Sequence, residues 1–596
     1  MKLAHQFSSV PLPVLPVLLL LLSNCGATGG GGDIDVDSGG ASIDSGSIVA
    51  DAAQDSPDAE TSNPDAGTVT DIDAGMVTDI DAGTVINIDA GTTTTAELTF
   101  EPIYGLVNAD DDDSADGPDW FQAPFTADND FSTLDLPFFP GHSIEFTLTG
   151  DVGSIRVWND SDQVILGDNF DAATITTTTV AADGTTLRIE FGYYLVHGLM
   201  QARLIDGSSE VDSQSFDMWS SPMILNHHLQ PSEHLYVVNT PNGSANNVDM
   251  VAGYRSVLSA NEMTEVASSS VNSDPWMQDE HEFAHSTGSQ GQRITTVIDS
   301  IRNRGLDVLS SSIFRGPGFY SSTWGPDVDG AANSYDSFGN LEVSPPVNVG
   351  GIEYPFGRVY YGDVGNQGPN GELGAFIASQ KVQAPFTVNT SWLCVGHIDE
   401  VSSWIADPSS TLGYKFLIAD VTAGFTFLDS LASNIQLPLY SSHGFDTSGD
   451  MQNDIAFRNE NMDIQDDYLT PMLATFMAET GITESDVIRV PAFFENVGCG
   501  MAALMPGTVN LIVADGQDNQ THLFLPDPFF RDVFDQSVDP FIAHFDSLFP
   551  SGTLTHYLDD WFSYHELLGE VHCGTNVERT PLSNWWESAM HLAESN

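Results

Sequence analysis

Residues 26–96 contain no aromatic residue, no lysine and no arginine, while aspartate and glycine abound. Within them "GTVTDIDA", "GMVTDIDA" and "GTVINIDA" follow one another from Gly67 to Ala90. Such a segment cannot bury enough apolar surface to offset the entropy of ordering it, and its carboxylates repel one another. The expected state is an extended acidic linker, with loose calcium binding by its D-x-D pairs as the alternative reading. Folding is therefore confined to the part of the chain that begins near Glu97.

Ahead of the linker, residues 1–25 read "MKLAHQFSSVPLPVLPVLLLLLSNC". One lysine, Lys2, precedes an apolar run that ends at Cys25 and is too short and proline-broken for a membrane span. The segment is expected to be an export signal, and "LLSNC" resembles the bacterial lipoprotein cleavage site, although Asn24 is not the usual small residue. Lipid on Cys25 would tether the protein to the cell envelope, periplasmic or surface-facing, without crossing the membrane; simple signal cleavage is the alternative. The whole chain has 84 acidic against 16 basic residues, a formal charge of −68. That balance excludes nucleic acid, whose phosphates require a basic surface. It favours metal cations or arginine- and lysine-rich substrates, or simply solubility where salt screens the charge.

From 97 to 222 the apolar residues alternate in short runs, such as "HSIEFTLTG", "SIRVWND" and "LMQARLID", separated by turn residues. An all-β immunoglobulin-like sandwich is the expected fold. Its loop "NADDDDSADGPDW" sets Asn108, Asp110, Asp112, Asp116 and Asp119 close together, a hard-oxygen set that suits calcium, or else a solvated acidic loop. Residues 223–596 mix strand-like runs ("ITTVIDS", "GRVYYGD", "SWLCVGHID", "VNLIVAD") with helical ones ("DPFIAHFDSLF") and form an α/β domain. It has no glycine-rich phosphate loop and no His/Cys cluster at zinc spacing.

One cysteine, Cys573, lies in "YHELLGEVHCGTNVERTP" beside His572. The missing zinc spacing speaks against a metal-bound thiol. Apart from Cys25, three cysteines remain, an odd number that leaves at least one thiol free and gives a disulfide little support. Core packing or chemistry are what remain for Cys573. Three other stretches are as dense in chemical groups: "DPWMQDEHEF" (274–283), "SYDSFGNLEVSPPV" (334–347) and "VGHIDEV" (395–401). In the last, His397 and Asp399 stand two apart and would share one face of a strand.

Together "DPWMQDEHEF", "DSIRNRG", "DSFGNLEVSPPV", "VGHIDEV" and "GEVHCGTNVERTP" resemble, in order and spacing, the motifs of the protein-arginine deiminases. The likeness runs from about residue 100 to 590 and includes the acidic loop of the β-sandwich, which resembles that family's calcium-binding middle domain. It implies an α/β-propeller (pentein) catalytic domain over 223–596. It also implies a calcium-dependent hydrolase that converts peptidyl-arginine to citrulline and ammonia. Cys573 would be the nucleophile, with a covalent thiouronium intermediate. Asp279 and Asp399 would grip the planar guanidinium, and His397 would protonate the departing ammonia and then activate water. Two carboxylates near Cys573 are expected to raise its pKa, a penalty that the cationic substrate offsets.

For calcium, the resemblance implies one site from Gln278, Glu282, the carbonyls of Phe338 and Leu341, and Glu342. A second would use Glu280, Asp299, Ser300 and Asn303. Gly318 stands where the family has an aspartate, so the second site is expected to be weaker or completed by water. Trp276 would wall the arginine slot and Arg304 would contact the substrate backbone; a further family arginine is replaced in the region of Leu567. Cys394 and Cys499 are read as buried structural thiols, and the acidic linker stands where animal members carry an extra N-terminal domain. The rival readings are a deiminase of free arginine or another small guanidine, and a non-catalytic calcium-dependent surface binding protein.

Overall fold

The computed structural model of the chain describes residues 96–109, 120, 130–170, 172–242, 245–326, 332–365, 367–582 and 584–595. The expected signal with Cys25, the linker up to residue 95 and the loop aspartates Asp110, Asp112, Asp116 and Asp119 lie outside the described residues. Everything from Ala96 onward belongs to one compact unit, and it is rich in β-strands.

Residues 96–220 form two sheets over one core. The first orders Ile103–Gly105, Ser209–Ser220, His197–Asp206, Phe138–Gly150 and Thr177–Asp183; the second orders Ser132–Asp135, Thr186–Phe191, Ile155–Trp158 and Val164–Gly167. The alternation in "SIEFTLT" does what alternation should: Ile144, Phe146 and Leu148 turn inward, where they meet Ile155, Val157, Ile189 and Phe191 of the other sheet.

From Pro222 onward one unit recurs five times among the described residues: a central strand with one antiparallel and one parallel neighbour. The central strands are Ser232–Asn239, Arg293–Asp299, Val359–Gly362, Tyr414–Asp420 and Thr521–Pro526. Runs such as "FLIAD" and "LYVV" are nearly continuous in apolar residues because a central strand is covered on both faces. In the first unit the antiparallel neighbour is Thr575–Arg579, so the end of the chain pairs with the start of this region. Trp404, Phe416 and Phe476 are fully buried in the largest core cluster. The run "DPFIAHFDSLF" is the helix Pro540–Leu548, begun by Asp539, whose side chain accepts from the amides of Phe541 and Ile542, with proline at the first turn.

Two expectations are corrected. "VGHIDEV" is a turn and not a strand. Gly396 takes a left-handed φ of 89°, the His397 amide donates to Glu400 Oε1 at 2.8 Å, and the Asp399 amide donates to Gly339 O at 3.1 Å. With both amides committed there, no ladder can form. Cys394 and Cys499 are not free thiols but a disulfide. The Cys394 amide donates to Met501 O at 2.8 Å, and this pairing sets the two Cα atoms 5.1 Å apart. An odd count is satisfied by one bridge and one free thiol, and among the described residues Cys573 is the free one.

Candidate active site

The five units converge on one place. Each has an antiparallel outer strand, and the segment entering that strand carries the chemical groups. The short helix Met277–Glu280 leads into His281–Thr287, and the turn Phe338–Asn340 into Leu341–Val343. The turn with His397 and Asp399 leads into Ser402–Ala406, Asn510 precedes Ile512–Asp515, and His572 and Cys573 precede Thr575–Arg579.

Gly339 marks the centre. A Cβ placed on it would lie 2.6 Å from His397 Nδ1, 3.0 Å from Asp399 Oδ2 and 3.3 Å from Asp279 Oδ1. The Cys573 thiol donates to the same Asp399 Oδ2 at 3.5 Å. All four residues singled out as catalytic are thus brought together, and all four are buried. His397 is held by the carbonyl of Ser334, 2.7 Å from Nε2, so its Nδ1 faces inward, 3.6 Å from Asp279 Oδ1. Asp279 Oδ1, Asp399 Oδ1 and His397 Nδ1 are buried without hydrogen-bond partners. Polar groups left so are costly unless a ligand completes them. Two acceptors and a titratable ring nitrogen facing one small space match a flat cation with several N–H donors.

The thiol behaves as expected. Burial pushes the Cys573 pKa up, and Asp399 and Asp279 raise it further. Asn510 works the other way, donating through Nδ2 to Sγ at 3.3 Å, while its Oδ1 accepts from the His572 amide at 2.8 Å.

Trp276 is half-buried; its ring meets Tyr564 edge-on at 5.3 Å and packs so closely on Gly569 that a Cβ there would lie 2.3 Å away. Arg304 is engaged internally: it bonds Asp274 at 2.7 Å and Asp279 at 3.1 Å, and lies 3.8 Å from Glu280. Its guanidinium therefore already touches one of the two candidate substrate-gripping carboxylates.

Of the candidate metal ligands, Gln278 Nε2 donates to Glu282 Oε2 at 2.8 Å and to Phe338 O at 3.2 Å, and Glu342 lines the same small cavity. Leu341 opens the strand Leu341–Val343, which carries Glu342. Burial holds the Glu282 carboxyl well above its ordinary range and pushes Glu342 to about 8. In the second group, Glu280, Asp299 and Asp307 converge. Burial pushes Glu280 to about 11 and Asp299 to about 7, and Arg304 at 3.8 Å is the cation beside Glu280. Ser300 donates its amide to Glu280 O at 2.8 Å, and Asn303 is exposed. Asn108 is buried and donates to Glu190 Oε1 at 2.7 Å.

Sequence reasoning missed Gly339, Asn510, Asp307, His228 and the partnership of His572 with Asp399. Asn510 and Asp307 carry no local signal, since an asparagine before a strand and an aspartate in a turn are ordinary. His572, adjacent to the cysteine, was the one in plain view; its Nδ1 lies 3.0 Å from Asp399 Oδ2. Burial depresses its pKa, but Glu342 and Asp399 outweigh this and hold it above the usual histidine value.

The chain is similar to known proteins along much of this region. The family model for protein-arginine deiminase matches residues 210–587. Human (Homo sapiens) protein-arginine deiminase type-1 is 30% identical over 394 residues, covering 63% of this chain and 57% of that protein. Human type-4 is 32% identical over 329 residues, 52% of this chain and 48% of that protein, and human type-3 is 30% identical over 392 residues, 61% and 55%. The chain spans about half the length of these relatives. With a family model matched across more than half of its residues, the chain belongs to the protein-arginine deiminase family.

Proposed function

We propose that this protein is a calcium-dependent hydrolase that converts peptidyl-arginine to peptidyl-citrulline and ammonia. The observation that carries the reading is the meeting of Asp279, His397, Asp399 and Cys573 around Gly339. Asp279 and Asp399 hold the guanidinium flat, with its central carbon facing Sγ. The thiolate attacks that carbon to give a tetrahedral adduct. The carbon–nitrogen bond then breaks, and the nitrogen leaves as ammonia with a proton from His397. Water adds to the carbon of the remaining thiouronium and gives one proton to His397. As the carbon–sulfur bond breaks the thiolate is restored, the oxygen becomes the citrulline carbonyl, and the second proton leaves on ammonia as ammonium. Arginine and water have become citrulline and ammonia, and no electron leaves the pair.

Calcium fits the donors present. The buried carboxylates of Glu280, Glu282 and Glu342 are hard oxygen groups that a divalent cation would neutralise. Gln278, Glu282, Phe338 O, Leu341 O and Glu342 would hold one ion. Glu280, Asp299, Ser300 and Asp307 would hold another, with Asp307 supplying the carboxylate missing at Gly318. The ion supplies charge neutralisation that lets these carboxylates stay ionised next to Asp279. The five repeated sheets are read as an α/β-propeller over 223–596, and the two sheets of 97–222 as an immunoglobulin-like sandwich. Residues 1–25 are read as a lipoprotein-type signal, with Cys25 as the anchor to the cell envelope. Residues 26–96 are read as the linker that follows it.

Incubating the full chain with an N- and C-blocked arginine peptide, and separately with free arginine, tests the substrate. Citrulline and ammonia are expected from the peptide with calcium present. Equal turnover of free arginine would displace the protein-directed reading, and no product from either would favour a binding module. The thiol offers a second check. Because burial, then Asp399 and Asp279, raise the Cys573 pKa, iodoacetamide labelling should climb with pH into the alkaline range. A guanidinium bound between the two aspartates favours the thiolate and should shift the profile to lower pH. A profile unmoved by the guanidine at every pH would count against this pairing.

A further inference from the structure

Next to Cys573, His228, Glu342 and His572 bring together a group of nitrogen and oxygen atoms that could hold a metal ion. One ligand atom from each lies within 4.8 Å of the other two: the two Nε2 atoms are 3.2 Å apart, and the Glu342 oxygens each face one ring, Oε2 at 3.5 Å from His228 Nε2 and Oε1 at 3.6 Å from His572 Nε2. Zinc takes nitrogen and oxygen ligands at about 2.0–2.2 Å, and tetrahedral geometry then places neighbouring ligands about 3.3–3.6 Å apart. The observed spacings already approach those edges. Glu342 Oε1 is buried with no hydrogen-bond partner.

The outer contacts also suit a metal. His572 Nδ1 lies 3.0 Å from Asp399 Oδ2, and His228 Nδ1 lies 3.1 Å from Ser403 Oγ. Each ring is thus oriented through its far nitrogen, with Nε2 aimed inward, the arrangement by which histidine ligands are usually held. The residues line a cavity of about 30 Å³, room for an ion and a water as a fourth ligand. Arg579 faces the same cavity and opposes a cation, but it donates to Gln230 O and Val513 O, and Asp515, Glu342 and Glu282 answer its charge. Two imidazoles are poor calcium ligands and good ones for zinc.

We propose that His228, Glu342 and His572 form a zinc-type transition-metal site that competes with calcium for Glu342. Binding takes Glu342 from the proposed calcium set and holds both imidazoles through Nε2. Zinc would therefore silence turnover; that consequence rests on the deiminase reading, whereas the site does not.

The test uses the full chain stripped of divalent ions, with cobalt(II) as the spectroscopic probe and zinc(II) measured by displacing it. One equivalent should give the intense visible bands of four-coordinate cobalt. Loss of an outer partner costs about 10–100-fold in affinity, so losing a ligand in His228→Gln is expected to cost at least 100-fold. Cys573→Ser should keep the bands, and added calcium should weaken zinc binding in proportion to its concentration. Glu342→Gln is a second variant should His228→Gln fail to fold. Weak octahedral cobalt bands, bands that survive both ligand variants, or bands lost with Cys573→Ser would each overturn the site. Because the spectrum is read without substrate, an inactive protein that still shows the bands leaves the site standing and counts only against the deiminase reading.

Discussion

Replacing Gly339 with alanine is expected to lower kcat/KM on an arginine peptide by about 100- to 1000-fold while leaving the fold intact. The added methyl would stand 2.6 Å from His397 Nδ1 and 3.0 Å from Asp399 Oδ2, in the space that the guanidinium is proposed to fill. Those neighbours are ends of side chains and can give way without moving a strand. They cannot give way and keep the geometry, and a displacement near 1 Å costs about 100-fold in rate. Gly339 has no left-handed φ to lose, so backbone strain does not confound the result. Steady-state kinetics beside thermal unfolding checks it. A variant with near wild-type kcat would show that substrate binds elsewhere, and Cys573→Ala, with no detectable product, gives the floor.

Removing calcium is expected to abolish turnover. The helix Met277–Glu280 places Gln278 in one proposed ion site, Asp279 at the substrate and Glu280 in the other proposed site, on consecutive residues. Any displacement of either flank therefore moves Asp279. Without an ion, Glu280, Asp299 and Asp307 cannot all be ionised side by side, and burial pushes Glu280 to about 11. Asp307→Asn should raise the calcium needed for half-maximal activity about tenfold or more, a loss of about 1.4 kcal/mol of binding free energy. A hundredfold excess of calcium over its Kd should stabilise the fold by about 2.7 kcal/mol, seen as a rise in Tm. Equal turnover in calcium and in chelator would end this account. An unchanged requirement in Asp307→Asn would remove that residue from the ligand set only.

Much of the fold is legible in the sequence. Alternation in "HSIEFTLTG" placed inward and outward faces of a strand, and the run "DPFIAHFDSLF" reads as a helix and is one. These are local signals, set by the period of the backbone. The reading failed where local pattern was overridden. "VGHIDEV" has a strand's composition, yet its amides are spent on Glu400 and Gly339, residues whose proximity no spacing announces. The Cys394–Cys499 bridge spans 105 residues, and its pairing depends on the backbone contact with Met501.

By itself the sequence determined where strands alternate and which stretches are dense in chemical groups. These follow from composition and from the fixed geometry of the chain. Only tertiary structure decided what meets what: that the entries to five separate outer strands face one another, that Gly339 leaves room among three polar groups, and that His228 comes within 3.2 Å of His572 from 344 residues away. Contacts at that separation arise from packing many strands at once. No window of sequence contains both partners, so none can state their distance.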